Sequence, residues 1–297
     1  MSKPQHGNDE YVQYNHFDRS LRGPLSPMLI NRILLLFTCC FCVLEAARAQ
    51  SVEVPRDPAK FHLFLLAGQS NMAGRGKVSE SDRKVDPHVL TLDKKGKWVA
   101  AVDPIHFDKP GMAGVGLGKN FAKNYAASHP GITVGLIPCA VGGSPISSWE
   151  PGGYHPSTKT HPYDTAISRT QLARKEGTLK GVLWHQGESD CKAELSVVYK
   201  EKLHRLIERF RTNFNDEKLP FIAGQMGQFK ERPWNADKKR VDSVHQTLPS
   251  QVSLTGFVNS NGLTHKGDKI HFNSDSYREL GRRYHAAFEA VEAPVRN

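Results

Sequence analysis

The chain has 297 residues, 38% hydrophobic and 24% charged, with 40 Lys and Arg against 30 Asp and Glu for a net charge of +10. Those proportions exclude a disordered chain, a collagen-like repeat and a multi-span membrane protein. The basic residues are scattered, in short clusters such as Lys94-Lys95, Lys238-Lys239-Arg240 and Arg282-Arg283, and none is interleaved with aromatics. No nucleic-acid partner is therefore expected, and the positive balance favours acidic polysaccharides or cell-surface polymers instead.

Arg32, an apolar run from Ile33 to Leu44 and then Ala47-Arg48-Ala49 make up the three parts of a secretory signal peptide. The run falls short of the roughly 20 apolar residues that span a bilayer. The expected division is an extension with signal peptide at 1–49, cleavage after Ala49, and one domain at 50–297. The product would be secreted or periplasmic, with no stable membrane insertion. Residues 1–27 are long for the segment that precedes an apolar run, so Met28 is an alternative start. Cleavage would remove Cys39, Cys40 and Cys42. Cys139 and Cys191 would remain, either as one disulfide or as two half-buried thiols.

Short apolar runs at 61–67, 132–140, 181–184 and 221–224, with a weaker one at 252–258, predict five strands. Helices are predicted at 117–128 and 164–176. Another is marked by Leu195, Val198, Tyr199, Leu203, Leu206, Ile207 and Phe210, and a last one by Tyr277, Leu280, Tyr284 and Phe288 with Asn273, Ser274 or Asp275 as N-cap. The stretch 74–112 is expected to be an excursion of loops. Alternating strands and helices argue for an open parallel sheet covered on both faces, with all carboxyl strand ends on one edge.

Three polar clusters follow predicted strands. Gly68-Gln69-Ser70-Asn71-Met72 can expose the Ser70 hydroxyl at that edge and free its N–H toward an oxyanion. In Cys139-Ala140-Val141-Gly142-Gly143-Ser144, paired glycines allow close backbone approach. In Trp184-His185-Gln186-Gly187-Glu188-Ser189-Asp190, Gln186 offers a neutral donor and Glu188 an orienting carboxylate. Asp268 lies three residues before His271, a spacing that lets the carboxylate hold one ring nitrogen while the other takes a proton from Ser70. His265 has no Asp at that spacing.

In this order, GQSNMAGRG, CAVGGSPISSW, WHQGESD and DKIHF resemble the SGNH-hydrolase superfamily. More narrowly they resemble carbohydrate esterases of the sialate O-acetylesterase/acetylxylan esterase type, carbohydrate esterase family 6. The resemblance implies a three-layer αβα sandwich around a mostly parallel, five-stranded sheet, and O-deacetylation of a carbohydrate such as acetylxylan. It implies Ser70 as nucleophile, His271 as base and then acid, and Asp268 as the residue orienting His271. The oxyanion hole would be the Ser70 N–H, the Gly143 N–H (or that of Gly142) and the Gln186 side chain. Gln69 and Glu188 would keep the loops in register, Trp149 would belong to the sugar-facing wall, and no metal or cofactor is implied. Under that assignment Gln186→Ala would lower kcat about a hundredfold with the fold intact, since a lost donor costs about 2.7–4 kcal/mol of barrier. Activity should also fall in acid, because His271 must be neutral to accept a proton.

Other functions fit less well. The run 111–120 has Ala113 where a P-loop needs its first Gly, and Asn120 follows Lys119. No GxGxxG follows the first strand, and HExxH is absent. The alternatives within esterases are a sialate O-acetylesterase and an esterase for non-sugar acyl esters, whose rim should be more apolar than Arg75, Trp149, Glu150 and Tyr154 suggest. Outside enzymes, the alternative is a non-catalytic carbohydrate-binding module.

Overall fold

The eight-residue run Phe61–Gly68 forms the central strand β1, buried along almost its whole length. The computed structural model describes residues 53–293, which fall within one compact unit, Val52–Asn297; the signal peptide expected at 29–49 lies outside the described residues. After β1 come β2 (Val89–Leu92), β3 (Trp98–Ala100), β4 (Thr133–Pro138), β5 (Thr178–His185), β6 (Phe221–Gly224) and β7 (Thr255–Val258). The helices are α1 (Ser70–Ala73), α2 (Leu117–Ser128), α3 (Pro162–Ala173), α4 (Ala193–Ser196), α5 (Tyr199–Phe214), α6 (Ala236–Gln251) and α7 (Ser274–Glu292).

The sheet order is β3-β2-β4-β1-β5-β6-β7. Every pairing is parallel except β2 with β3. The sheet therefore has seven strands where five were expected. The two additions are a four-residue strand and a three-residue strand joined by a polar turn, inside the stretch taken for loops. A second element that the sequence reading passed over is α6, whose buried stripe of Val241, Val244, His245 and Leu248 is interrupted by polar residues and closed by Pro249. Elsewhere α2 and the start of α7 agree with expectation, and the Asn273 side chain caps α7 by accepting from Ser276 N. Leu195 lies in the separate turn α4 rather than in α5.

Alternate residues of β1 face opposite layers. Phe61, Leu63, Leu65 and Ala67 join the core under α3, α5 and α6. Phe64 and Leu66 join the core under α2 and α7. The result is an αβα sandwich. Strand order runs outward both ways from β1, so the crevice at the carboxyl ends of β4, β1 and β5 is the topological switch point, where open α/β sheets bind ligands. All three polar clusters of the sequence open there.

Phe64 meets Phe121, Tyr125 and Phe288 edge-on at centroid distances of 4.8, 4.9 and 5.1 Å. This aromatic knot fastens α2 and α7 to the sheet below the site. Phe64→Ala is expected to cost about 3–5 kcal/mol of stability, measured by urea unfolding; a loss well under about 1 kcal/mol would mean that the helices are held some other way.

Candidate active site

Gly68 ends β1 with φ +128, and a Cβ there would stand 2.3 Å from His185 O, so only glycine admits this approach to β5. Its neighbour Gln69 donates its N–H to His185 O at 2.9 Å, and Gly68 O accepts from Val141 N at 2.9 Å. The turn after β1 is thus bonded to both flanking strands before Ser70 opens α1.

His271 arrives from the other end of the chain. The loop 265–272 is closed by an antiparallel bridge between His265 and Phe272. Asp268 Oδ1 accepts from Ile270 N at 3.0 Å and His271 N at 2.8 Å, an Asx-type turn that fixes the local geometry. Asp268 Oδ2 lies 2.7 Å from His271 Nδ1, and His271 Nε2 lies 3.0 Å from Ser70 Oγ. A carboxylate only accepts, so the proton between Asp268 and His271 sits on Nδ1, leaving Nε2 to accept from Ser70. Burial works to raise the Asp268 carboxyl, but the His271 N–H, its imidazole and the Ile270 N–H outweigh it and hold Asp268 down at about 2. Ser70, His271 and Asp268 are brought together in one relay; His265 instead accepts from Gly267 N and stands 3.5 Å from Glu231.

The other predicted residues divide. Gln69 Oε1 accepts from Gly187 N and Ser189 N, and Glu188 Oε1 accepts from Asn71 Nδ2 at 2.6 Å, so both join the β1 turn to the loop after β5. Gly142 N is already bonded to Asp108 Oδ2 at 2.7 Å. Among the described residues, the Ser70 and Gly143 N–H groups donate to nothing. Between the two glycines, Gly143 is therefore the one with a free donor.

Gln186 departs from expectation. It is fully buried, and Nε2 donates to Ser144 O at 3.1 Å and Asp190 Oδ2 at 2.5 Å, while Oε1 accepts from the Tyr199 hydroxyl at 2.9 Å. Both amide hydrogens are engaged, so in this structure Gln186 has none left for an oxyanion. Trp149 is corrected as well: it has no exposed surface, stacks edge-on against Trp184 and donates to Ser144 Oγ, so it is core rather than sugar-facing wall. Arg75 is also buried, paired with Asp108 at 2.7 Å. Of the four rim residues named earlier, only Glu150, bonded to Lys202, and exposed Tyr154 reach solvent. Cys139 and Cys191 are free thiols.

The sequence reading gave no role to Asn71. Its fully buried amide donates to Glu188 Oε1 and to Ile270 O at 3.2 Å, and accepts from the Tyr277 hydroxyl at 2.7 Å and Phe272 N at 3.4 Å. One side chain thereby holds the Ser70 turn, the His271 loop and the loop after β5. Asp108 was likewise passed over. Burial would raise its carboxyl, but the Arg75 guanidinium prevails and holds it below the usual carboxylate range, as a charged acceptor for Gly142. The signal available for Asn71 was its place beside Ser70; nothing marked Asp108, 34 residues from its partner Gly142.

A family model described as carbohydrate esterase, sialic acid-specific acetylesterase, matches residues 60–290. The chain belongs to this family. A probable carbohydrate esterase of Arabidopsis thaliana is 32% identical over 241 residues, covering 74% of this chain and 86% of its own. A solved Arabidopsis thaliana structure superposes with TM-score 0.70 at 29% identity, over 80% of this chain and all of that one. NanS, at TM-score 0.64 and 17% identity over 79% of this chain and 98% of its own, shares the fold. So does a carbohydrate acetylesterase from Xanthomonas citri, at TM-score 0.60 and 22% identity over 77% and 56%. The protein is a carboxylic ester hydrolase of the carbohydrate esterase kind, with an αβα-sandwich fold.

Two substitutions separate the amides. Asn71→Ala leaves at least two buried partners unpaired, at about 1–3 kcal/mol each, and should lower both the melting temperature and ester turnover. Gln186→Ala should appear chiefly as lost stability, about 2 kcal/mol by urea unfolding. A hundredfold fall in kcat at unchanged stability would restore Gln186 as an oxyanion donor.

Proposed function

We propose that the protein is a secreted serine esterase that removes O-acetyl groups from a carbohydrate, acetylxylan or a similar polysaccharide, through an acetyl-enzyme formed on Ser70. The observation that carries this reading is the relay from Asp268 through His271 to Ser70, together with the Ser70 and Gly143 N–H groups, which have no partner among the described residues. In this mechanism Ser70 Oγ attacks the acetyl carbonyl carbon as its proton passes to His271 Nε2. The Ser70 and Gly143 N–H groups take the negative oxygen of the tetrahedral intermediate. Collapse breaks the bond to the sugar oxygen, which leaves with the proton from His271. Water then attacks the acetyl-enzyme with His271 again as base, releasing acetate and restoring Ser70.

Asp268 is about a third exposed and His271 about an eighth, so the reacting hydroxyl lies near the surface, where a bulky acylated ring can approach. The family description favours a second reading of the same chemistry, with O-acetylated sialic acid as substrate. Export rests on the pattern at 29–49 and is tested by finding the mature N-terminus at Gln50 in protein recovered from outside the cytoplasm.

Acetate release from acetylxylan, O-acetyl sialic acid and 4-nitrophenyl acetate, by the protein and its Ser70→Ala variant, tests the reading. The variant should lose turnover on every ester, and the preferred sugar ester should identify the substrate. Equal activity of the two proteins would remove Ser70 from the reaction; inactivity of both on all three esters would favour a carbohydrate-binding role.

The pH profile gives a further check. Asp268 is held down at about 2, below its ordinary 3.8, so whatever stability it lends is present above about pH 4 and lost only as pH falls toward 2. It stays charged through the milder acid range, and because the mechanism needs a neutral His271 Nε2 to accept the Ser70 proton, kcat/KM should fall in acid. Asp268→Asn should lower kcat on the order of 10³–10⁴-fold. A rate that stays flat into acid would contradict His271 as base.

A further inference from the structure

The exposed turn at Gly143 has a cation standing over it. A Cβ placed on Gly143 would lie 3.9 Å from both Lys109 Nζ and His155 Nε2. The turn itself is tied to the segment that carries Ser70. Val141 N donates to Gly68 O at 2.9 Å, just ahead of Gly143 in one strand-end loop and of Ser70 in the other. Ser189 joins the same two loops further on: its hydroxyl donates to Gly143 O at 2.9 Å and its N–H to Gln69 Oε1 at 3.3 Å.

The Lys109 stem starts from a fixed point. Asp108 before it is bonded inward, to Arg75 and to Gly142 N, and Lys109 O accepts from Met112 N and Ala113 N at 2.9 Å each. Among the described residues the Lys109 ammonium makes no ion pair and no hydrogen bond, while the adjoining Asp108 carboxylate is taken up by Arg75 and Gly142. Burial above all, with the Lys109 charge adding to it against the Gly143 backbone, lowers the His155 imidazole. Of the two groups over the turn, Lys109 is therefore the one charged at neutral pH.

We propose that Lys109 is a specificity-determining residue that pairs with a carboxylate of the carbohydrate substrate, which narrows that substrate to acidic acetylated sugars and polysaccharides. An ammonium donates and cannot accept, and a carboxylate answers it with both charge and lone pairs. The hydroxyls of a neutral pyranose merely replace the bonds that water makes to it. Lysine acts as a point charge rather than a planar clamp, so it suits a carboxylate on C5 of a uronic acid or on the anomeric carbon of a sialic acid. The overall charge of +10 acts in the same direction, drawing acidic sugars to the surface. Use of this contact in turnover rests on the esterase reading; recognition of the carboxylate does not.

The test compares methyl β-D-glucopyranosiduronate with methyl β-D-glucopyranoside, which differ only at C6, and adds the methyl glycoside of N-acetylneuraminic acid as the second acidic source. Dissociation constants come from saturation-transfer NMR titrations, and kcat/KM from mono-O-acetyl derivatives of the same sugars. The wild type should bind at least one acidic sugar about fivefold more tightly than the glucoside, the strength of a partly exposed ion pair, and the tighter of the two names the source. Salt at about 1 M should remove that preference. Lys109→Met should abolish it and Lys109→Arg should keep it. Lys175→Met, an equal loss of charge at the amino end of β5 and so at the opposite edge of the sheet, should leave it in place. No preference in the wild type, or the same preference in Lys109→Met, overturns the proposal. So does an equal slowing of the acidic and the neutral acetyl ester in Lys109→Met, which would set the ammonium on the reacting oxygen instead. A preference that depends on Lys109, in a protein that hydrolyses none of the esters, would retain the carboxylate contact and refute the esterase mechanism.

Discussion

The buried amide of Asn71 is the constraint on which the reacting geometry depends. Ser70 and His271 lie 201 residues apart, on a strand-end turn and on a loop whose Asp268 is one-third exposed. A hydrogen bond between two such segments is weak by itself. Asn71 replaces that weak contact with four bonds made in the protein interior, to Glu188, Ile270, Phe272 and Tyr277. Low dielectric strengthens each bond and makes any unpaired member costly, so the three loops adopt one relative position. The distance of 3.0 Å between His271 Nε2 and Ser70 Oγ follows from that docking.

A parallel device acts on the Gly142-Gly143 turn. Arg75 and Asp108 form an ion pair almost without solvent exposure, at a desolvation cost that makes such pairs poor sources of stability. Its value here is positional. Asp108 holds the Gly142 N–H, so the following residue turns with φ +85 and its N–H has no partner among the described residues. Behind the same loop, Gln186, Asp190 and Tyr199 form a buried polar cluster that supports Ser144 and Ile146 from below. Burial pushes the Asp190 carboxyl up to about 6 despite its bonds to Gln186 and Ile146, which marks how little water reaches this cluster.

Much of the architecture was legible in the sequence because apolar runs and glycines are local signals. β1, β4, β5 and β6 each read as a short apolar run, and each of the three polar clusters begins where such a run stops. What escaped detection lacked a local signal. β2 and β3 are too short for alternation to register, and they exist because β2 pairs with β4 and β3 with β2. Helix α6 has a polar composition and a proline in its last turn, and its narrow buried stripe acquires meaning only against β7 and α5.

The sequence by itself determined the Asp268–His271 unit, since three residues of spacing and an Asx-type turn suffice to place a carboxylate on an imidazole. It also determined that Ser70, Gly142-Gly143 and Gln186 would lie at strand ends on one edge. Tertiary structure decided which of two neighbouring amides would do which task. Asn71 binds the loops around Ser70, whereas Gln186 is engaged by Ser144, Asp190 and Tyr199. It likewise decided that Trp149 would be core and that Gly143, not Gly142, would keep a free N–H. The physical reason is the same throughout. A donor's availability depends on which partners reach it, and those partners come from segments distant in the chain.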